Sequence, residues 1–132
     1  MNQKDPKLIV LQFNECINRQ DLEGLAKLMA RDYKFVDSTN EVHSGKAQNV
    51  SGWMKFFNQF PDYRNSFSIL ESMSDEVLVI GHSTCSDERL DGSALWFAKV
   101  ENDLIAKWRV YLDTPEVREG LDFAIKGIPV PT

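Results

Sequence analysis

The spacing of apolar residues changes once along the chain, from a helical period to a strand period. Between residue 6 and about residue 60, apolar side chains recur every three or four positions in most segments, as in amphipathic helices. From Tyr63 onward they alternate with polar residues, which is typical of strands that bury one face. The pattern therefore predicts helices first and most of a sheet afterwards.

Three helices are predicted in the first half of the chain. The first begins at the capping pair Asp5–Pro6. Asp21 is the predicted N-cap of a short second helix, in which Gly24 allows a close approach to the first. Ser44 is the predicted cap of the third helix, and Pro61 ends it.

Five strands and a last helix complete the prediction. The strands are Tyr33–Asp37, Tyr63–Ser72, Glu76–Cys85, Ser93–Val100 and Leu104–Leu112. The last four are joined by short turns and should form an antiparallel meander. A short helix opening at Thr114–Pro115 should point Val117, Leu121 and Ile125 inward. The predicted fold class is α+β, with helices packed on a strongly curved, mostly antiparallel sheet that forms a cone with an internal pocket.

Composition is that of one ordered domain spanning residues 1–132. Hydrophobic residues make up 42% and charged residues 27% of the chain. Its 20 acidic and 15 basic residues include no basic run, so no nucleic-acid partner is expected. Without an export signal or a membrane-length apolar run, we expect a cytoplasmic protein with no membrane partner.

Asp37 is the first candidate for chemistry. Strict alternation places it on the same strand face as Tyr33 and Phe35, and a carboxyl group buried beside aromatic rings has a raised pKa that suits a general base. The alternative is that Asp37 is a solvated residue that caps the turn formed by the next residues.

One further side chain is a candidate for proton transfer. His43 lies just before the third helix, and imidazole is the side chain whose charge ordinarily changes between pH 5 and 8. An exposed loop position is the alternative for His43. Asp113 follows the last strand, where its position favours a flank of the final helix that interacts with the helix dipole. Two histidines and scattered acids lack the paired spacing of metal ligands, so we expect no metal and no other cofactor.

Several apolar residues could line the internal pocket or simply fill the core. They are Phe13, Tyr33, Phe35, Trp53, Phe57, Trp96, Trp108 and Val110.

Short motifs and the order of elements resemble the SnoaL-like branch of the nuclear transport factor 2 superfamily, the cystatin-like α+β cone fold. The motifs are NRQDLEGL at residues 18–25, residues 32–37, HSG at residues 43–45 and IAKWRVYLD at residues 105–113. The resemblance covers most of the chain. It implies a cone that hosts cyclases, isomerases, dehydratases and non-catalytic binding modules, so it does not by itself give the function.

Carried over to this chain, the resemblance places Asp37 where ketosteroid isomerases keep their general base, and Asp113 where SnoaL-like cyclases place a catalytic acid. The two oxyanion donors of the isomerases, a phenol and a protonated acid, correspond to Phe13 and about Trp96. Neither of these side chains is a phenol or an acid. Ordinary ketosteroid isomerase activity is therefore not expected.

Two classes of function follow. One is a non-catalytic domain that holds a small apolar molecule in the cone, which the missing oxyanion donors favour slightly. The other is a cofactor-independent isomerase, cyclase or lyase that acts on an apolar carbonyl compound, with Asp37 as base and His43 as its partner. In both cases a homodimer is expected through the outer sheet face, which carries Arg109 and Tyr111.

Overall fold

The computed structural model describes residues 4–120, which form four α-helices, a 3₁₀ turn and six strands. The helices are α1 (Pro6–Arg19), α2 (Leu22–Leu28), α3 (Lys46–Gln59) and α4 (Pro115–Gly120), and Glu88–Leu90 forms the 3₁₀ turn. The strands are β1 (Met29–Val36), β2 (Val42–Ser44), β3 (Arg64–Met73), β4 (Glu76–Thr84), β5 (Gly92–Glu101) and β6 (Leu104–Leu112). Within residues 4–120, no helix combines the length and apolar character needed to cross a membrane.

The predicted caps of the first two helices are confirmed. The Asp5 carboxylate accepts a hydrogen bond from the backbone N–H of Lys7, and the Asp21 carboxylate accepts one from Gly24, both at 2.9 Å. A β-carbon added at Gly24 would lie 2.7 Å from the Cys16 sulfur of α1. The close approach of α1 and α2 therefore depends on a glycine at this position.

The prediction that Ser44 caps α3 is wrong. Ser44 belongs to β2, where it pairs with Lys34 of β1, and the cap position is Gly45 with φ of 100°. The Asn49 amide instead ties the start of α3 to the preceding chain, donating to the backbone oxygens of Gly45 at 2.7 Å and His43 at 3.1 Å. The first turn of α3 thus holds the end of β2 in place.

The sheet has the strand order β2-β1-β6-β5-β4-β3. Every neighbouring pair is antiparallel except β1 and β6, which run parallel with Phe35 opposite Trp108. Register shifts interrupt the pairing of β3 with β4 and of β5 with β6, and such irregularities bend strands. The predicted α+β class with a mostly antiparallel sheet is confirmed, although the β1–β6 pair is a parallel one that joins distant parts of the chain.

The main core lies between the helices and the inner face of the sheet. Its largest fully buried side chains include Trp96 and Trp108 from the sheet and Phe13 from α1. The predicted position of Trp108 on the helix-covered side is confirmed, because its ring centroid lies 4.7 Å from that of Phe13. Helix α1 therefore packs directly on the centre of the sheet.

The outer face of the sheet carries a second, smaller apolar cluster. Leu78, Ile80 and Leu95 are buried there, and Tyr111 and Val117 pack against them. Helix α4 thus contributes Val117 to the outer face, whereas Leu121 and Ile125 lie outside the described residues. Part of the face expected to form a dimer is therefore already covered by the same chain, and the homodimer stays a prediction.

Two glycines give a matched test of packing in this fold. A β-carbon at Gly81 would lie 2.2 Å from the backbone oxygen of Ser66 on the neighbouring strand, whereas one at Gly52 in α3 would meet nothing within 4 Å. We expect Gly81→Ala to lower the free energy of unfolding by at least about 1–3 kcal/mol through strand displacement. Gly52→Ala should raise it by up to ~1 kcal/mol through helix propensity.

Urea denaturation of the two variants and the parent protein measures both changes. Equal stability of Gly81→Ala and the parent would contradict the close contact between β3 and β4.

Candidate functional site

A cavity of about 380 Å³ opens between α3, the end of β1 and the second half of β6. Its apolar walls are formed by Phe35, Trp53, Phe56, Tyr63, Leu90, Trp108 and Val110. Its polar lining consists of Asp37, Ser38, His43, Gln48 and Asn49, and Gly52 completes it. The volume falls in the range of sites for small organic molecules.

The structure divides the eight predicted pocket residues into two equal groups. Phe35, Trp53, Trp108 and Val110 line the cavity, whereas Phe13, Tyr33, Phe57 and Trp96 are buried in the core and are not part of the lining. For Phe13 the reason is the direct packing of α1 on the sheet, where its ring lies 4.7 Å from that of Trp108.

Sequence reasoning missed three apolar wall residues, Phe56, Tyr63 and Leu90. Phe56 follows Trp53 by three positions, so helical spacing places both on one side of α3 and could have indicated it. The Tyr63 ring packs edge-on against Phe56 with centroids 4.9 Å apart. The local sequence around Leu90 gives no comparable signal.

Asp37 lies one residue beyond β1, at the start of a tight turn into β2. Its Oδ1 atom accepts hydrogen bonds from the backbone N–H of Thr39 at 3.0 Å, the Thr39 hydroxyl at 2.6 Å and the backbone N–H of Glu41 at 3.0 Å. A carboxylate that bonds to the backbone two residues later is a common way to fix a turn. Asp37 therefore has the turn-capping role that was the alternative in the sequence analysis.

The predicted upward shift of the Asp37 pKa is wrong. Partial burial does raise the pKa, but hydrogen bonds from Thr39, His43 and Glu41 outweigh it and bring the pKa down to about 2. The side chain also remains 28% exposed, so the loss of water is incomplete. Asp37 is consequently ionised throughout the neutral range.

The second oxygen of this carboxylate holds His43. The Nε2 atom of His43 lies 3.1 Å from Asp37 Oδ2, and the two residues face each other because β2 folds back on β1. An ionised carboxylate can only accept, so Nε2 carries the proton of this hydrogen bond. In the neutral imidazole, Nδ1 is then left with a free lone pair. The two predicted residues therefore form a hydrogen-bonded pair at the cavity, which we call the dyad.

The turn that carries the dyad is also fastened from the other side of the sheet. Arg109 of β6 donates from Nη2 to Asn40 Oδ1, and its guanidinium lies 4.7 Å from the ring centroid of Tyr111. Asn40 has a left-handed φ of 74° and donates its backbone N–H to the Asp37 carbonyl at 2.9 Å. Arg109 thus helps to position the turn from outside the cavity.

Asp113, the third predicted catalytic residue, is not among the lining residues and lies between β6 and α4. His82 is on the outer face, where Nε2 lies 3.8 Å from Asp91 Oδ1. The structure therefore brings together Asp37 and His43 but neither Asp113 nor the second histidine.

The turn also gathers a set of possible metal ligands. Ligand atoms of Asp37, Glu41 and His43 all lie within 4.8 Å of one another. Linear spacing predicted no metal site, because these three groups come together only when β2 folds back on β1. A cation bound through His43 Nε2 would replace the hydrogen bond between Asp37 and His43, so the dyad and such a metal centre are alternatives at the same place.

Comparison with known proteins supplies the family. Residues 10–108 match the SnoaL-like domain, and the chain therefore belongs to the SnoaL-like domain family. Comparison with curated protein sequences finds no match.

Solved structures agree with this fold. A candidate polyketide cyclase from Sinorhizobium meliloti is 14% identical with a TM-score of 0.71, over 81% of this chain and 99% of that one. A protein from Cytophaga hutchinsonii described as nuclear transport factor 2-like and of unknown function is 15% identical with a TM-score of 0.71, over 88% and 96%. A candidate ketosteroid isomerase from Kribbella flavida is 20% identical with a TM-score of 0.69, over 96% and 90%. At these identities the likeness establishes the cone fold alone.

The hydrogen bonds to Asp37 predict a pH-dependent contribution to stability. The pKa of about 2 in the folded protein lies below the ordinary value of 3.8. The contribution is therefore complete above pH 4 and is lost as the pH falls toward 2. We expect Asp37→Asn to lower the free energy of unfolding at pH 7 by about 1 kcal/mol, after allowance for solvent screening.

Urea denaturation at pH 7 and at pH 3 measures this difference, which should be smaller at pH 3. Asp32→Asn, at an exposed position of β1, is the control and should change little at either pH. An Asp37→Asn protein as stable as the parent at pH 7 would contradict the capping role.

Proposed function

We propose that this chain is a cofactor-independent enzyme that moves a proton on a small apolar carbonyl compound, as an isomerase or cyclase does. The observation that carries the proposal is the dyad at the polar end of an aromatic-lined cavity. A carboxylate and an imidazole that meet at an apolar pocket are a common arrangement for proton transfer.

The two residues exchange the roles expected from sequence. A carboxylate with a pKa of about 2 is too weak a base to take a proton from carbon at neutral pH. His43 is the better base, because Asp37 holds its Nε2–H and leaves Nδ1 to accept. Asp37 then orients the ring and stabilises the imidazolium that forms.

The reaction needs no group beyond the substrate and the dyad. His43 Nδ1 takes a proton from the carbon next to the carbonyl, and the electron pair of that C–H bond moves to the carbonyl oxygen as an enolate. In an isomerisation, the imidazolium returns the proton to another carbon of the same molecule. In a cyclisation, the enolate carbon attacks a second carbonyl, and the imidazolium protonates the resulting alkoxide.

Descriptions of two structural neighbours agree with this chemistry. The Sinorhizobium protein is described as a candidate polyketide cyclase and the Kribbella protein as a candidate ketosteroid isomerase. Both names denote reactions of enolisable carbonyl compounds, the class of substrate proposed here.

The second candidate function is a non-catalytic ligand-binding domain. The observation in its favour is that neither position of the isomerase oxyanion donors offers a donor to the cavity. Phe13 and Trp96, which stand at the positions of the isomerase donors, are buried and do not line the cavity. The Asn49 amide does line the cavity, but it donates to the backbone oxygens of His43 and Gly45. In either function, a cytoplasmic homodimer that pairs through the outer face remains part of our proposal.

Deuterium incorporation into β-tetralone, a small enolisable aromatic ketone, tests the enzyme directly. Followed by proton NMR in heavy water at pH 7, exchange should be faster with the protein than without it. His43→Gln should reduce the protein-dependent rate by about 10²–10⁴-fold, which is the usual contribution of a general base. Asp37→Asn should reduce it less, because the base remains but is poorly oriented.

The matched control is His82→Ala, which removes the histidine of the other Asp–His pair and should leave exchange unchanged. Added chelator should also have no effect if the dyad, and not a metal bound at Asp37, Glu41 and His43, does the chemistry. Binding of β-tetralone without any protein-dependent exchange would contradict the enzyme and favour the binding domain.

A further inference from the structure

The cavity is lined by an acidic side chain and by no lysine or arginine among the described residues. The acidic side chain is that of Asp37. Glu41 adds a second carboxylate close to Asp37 and His43. Arg109 reaches the same turn through Asn40 but comes from the outer face and does not line the cavity. A ligand therefore enters a field that is negative at the polar end, and the net charge of -5 acts in the same direction.

The walls of the cavity favour the same sign of ligand. Five of the lining residues are aromatic, and two of these, Trp53 and Trp108, are indoles. The faces of aromatic rings attract cations, and tryptophan does so most strongly. Aromatic rings commonly surround a bound ammonium group, and an ionised carboxylate attracts the same group by its charge.

We infer that the ligand of this cavity carries a protonated amine beside an apolar ring or chain. The reaction part of this inference rests on the proposed function: the substrate would be an amino ketone. Ionised Asp37 with the aromatic walls would receive the ammonium group, and the apolar body would lie toward Trp108 and Val110. Anionic compounds of the same shape would be excluded by the carboxylates.

A cationic substrate would also favour the enolate electrostatically. When the proton leaves carbon for His43 Nδ1, negative charge builds up on the carbonyl oxygen. An ammonium group in the same molecule would stabilise that charge, together with any hydrogen bond from Ser38 or Gln48 of the lining.

Three compounds built on one bicyclic skeleton test the preference for charge. They are β-aminotetralin, which is protonated at pH 7, β-tetralol and tetralin-β-carboxylate. Isothermal titration calorimetry with the intact protein should give the amine an affinity about tenfold or more above that of the alcohol, with the carboxylate weakest. Added salt should weaken binding of the amine and leave that of the alcohol unchanged.

A pair of variants locates the effect. Asp37→Asn should reduce the amine-to-alcohol ratio, whereas Asp91→Asn, which changes the partner of His82 outside the cavity, should preserve it. The salt dependence uses the native chain and decides the matter even if Asp37→Asn does not fold.

Alcohol binding as tight as amine binding, a preference for the carboxylate, or no binding of any of the three would overturn this inference. Deuterium exchange into β-tetralone tests the enzyme independently of the ligand's charge. An amine preference without exchange would support the ligand class and contradict the enzyme. His43-dependent exchange without an amine preference would support the enzyme and contradict the ligand class.

Discussion

The parallel pairing of β1 with β6 is the constraint on which the cavity depends. It places the end of β1 beside Trp108, so the turn that follows β1 lies at the edge of the space that α1 and the sheet leave unfilled. Parallel strands require a long connection, and here the rest of the sheet and α3 lie between the two strands in sequence. The site is consequently assembled from residues that are far apart in the chain.

The turn itself shows how one set of hydrogen bonds fixes both shape and chemistry. The three donors on Asp37 Oδ1 hold the chain in its reversal, and the same donors keep the carboxylate ionised. An acid that caps a turn this completely is a poor base and a good partner for an imidazole. The placement of His43 opposite β1 then gives the carboxylate such a partner.

Local signals in the sequence predicted most of the fold. Asp5 and Asp21 were recognisable as caps because a cap depends on a few neighbouring residues, and strict alternation placed Trp108 correctly. Strand β2 was missed because its three residues are all exposed and leave no burial pattern. The downward shift of the Asp37 pKa was not predicted, for a related reason. Alternation was extended one residue past the end of β1, and the donors that act on the carboxylate come from the turn.

The split among the aromatic residues has a different origin. Phe13 and Trp53 are both apolar, inward-facing helix residues, yet Phe13 is fully buried in the core and Trp53 lines the cavity; within α3 itself, Phe57 is buried while Trp53 lines the cavity. Sequence patterns give the direction of a side chain but not whether the space that it faces is filled.

The dyad lies on the hairpin of β1 and β2, whereas part of the cavity wall, including Trp53 and Phe56, lies on α3. Gly52 faces the cavity from α3 with open space where a side chain would be. Larger residues at this one position could shorten the cavity step by step while the turn and its hydrogen bonds stay as they are. A protein built in this way can change the size of the molecule it accepts without having to rebuild the groups that act on it.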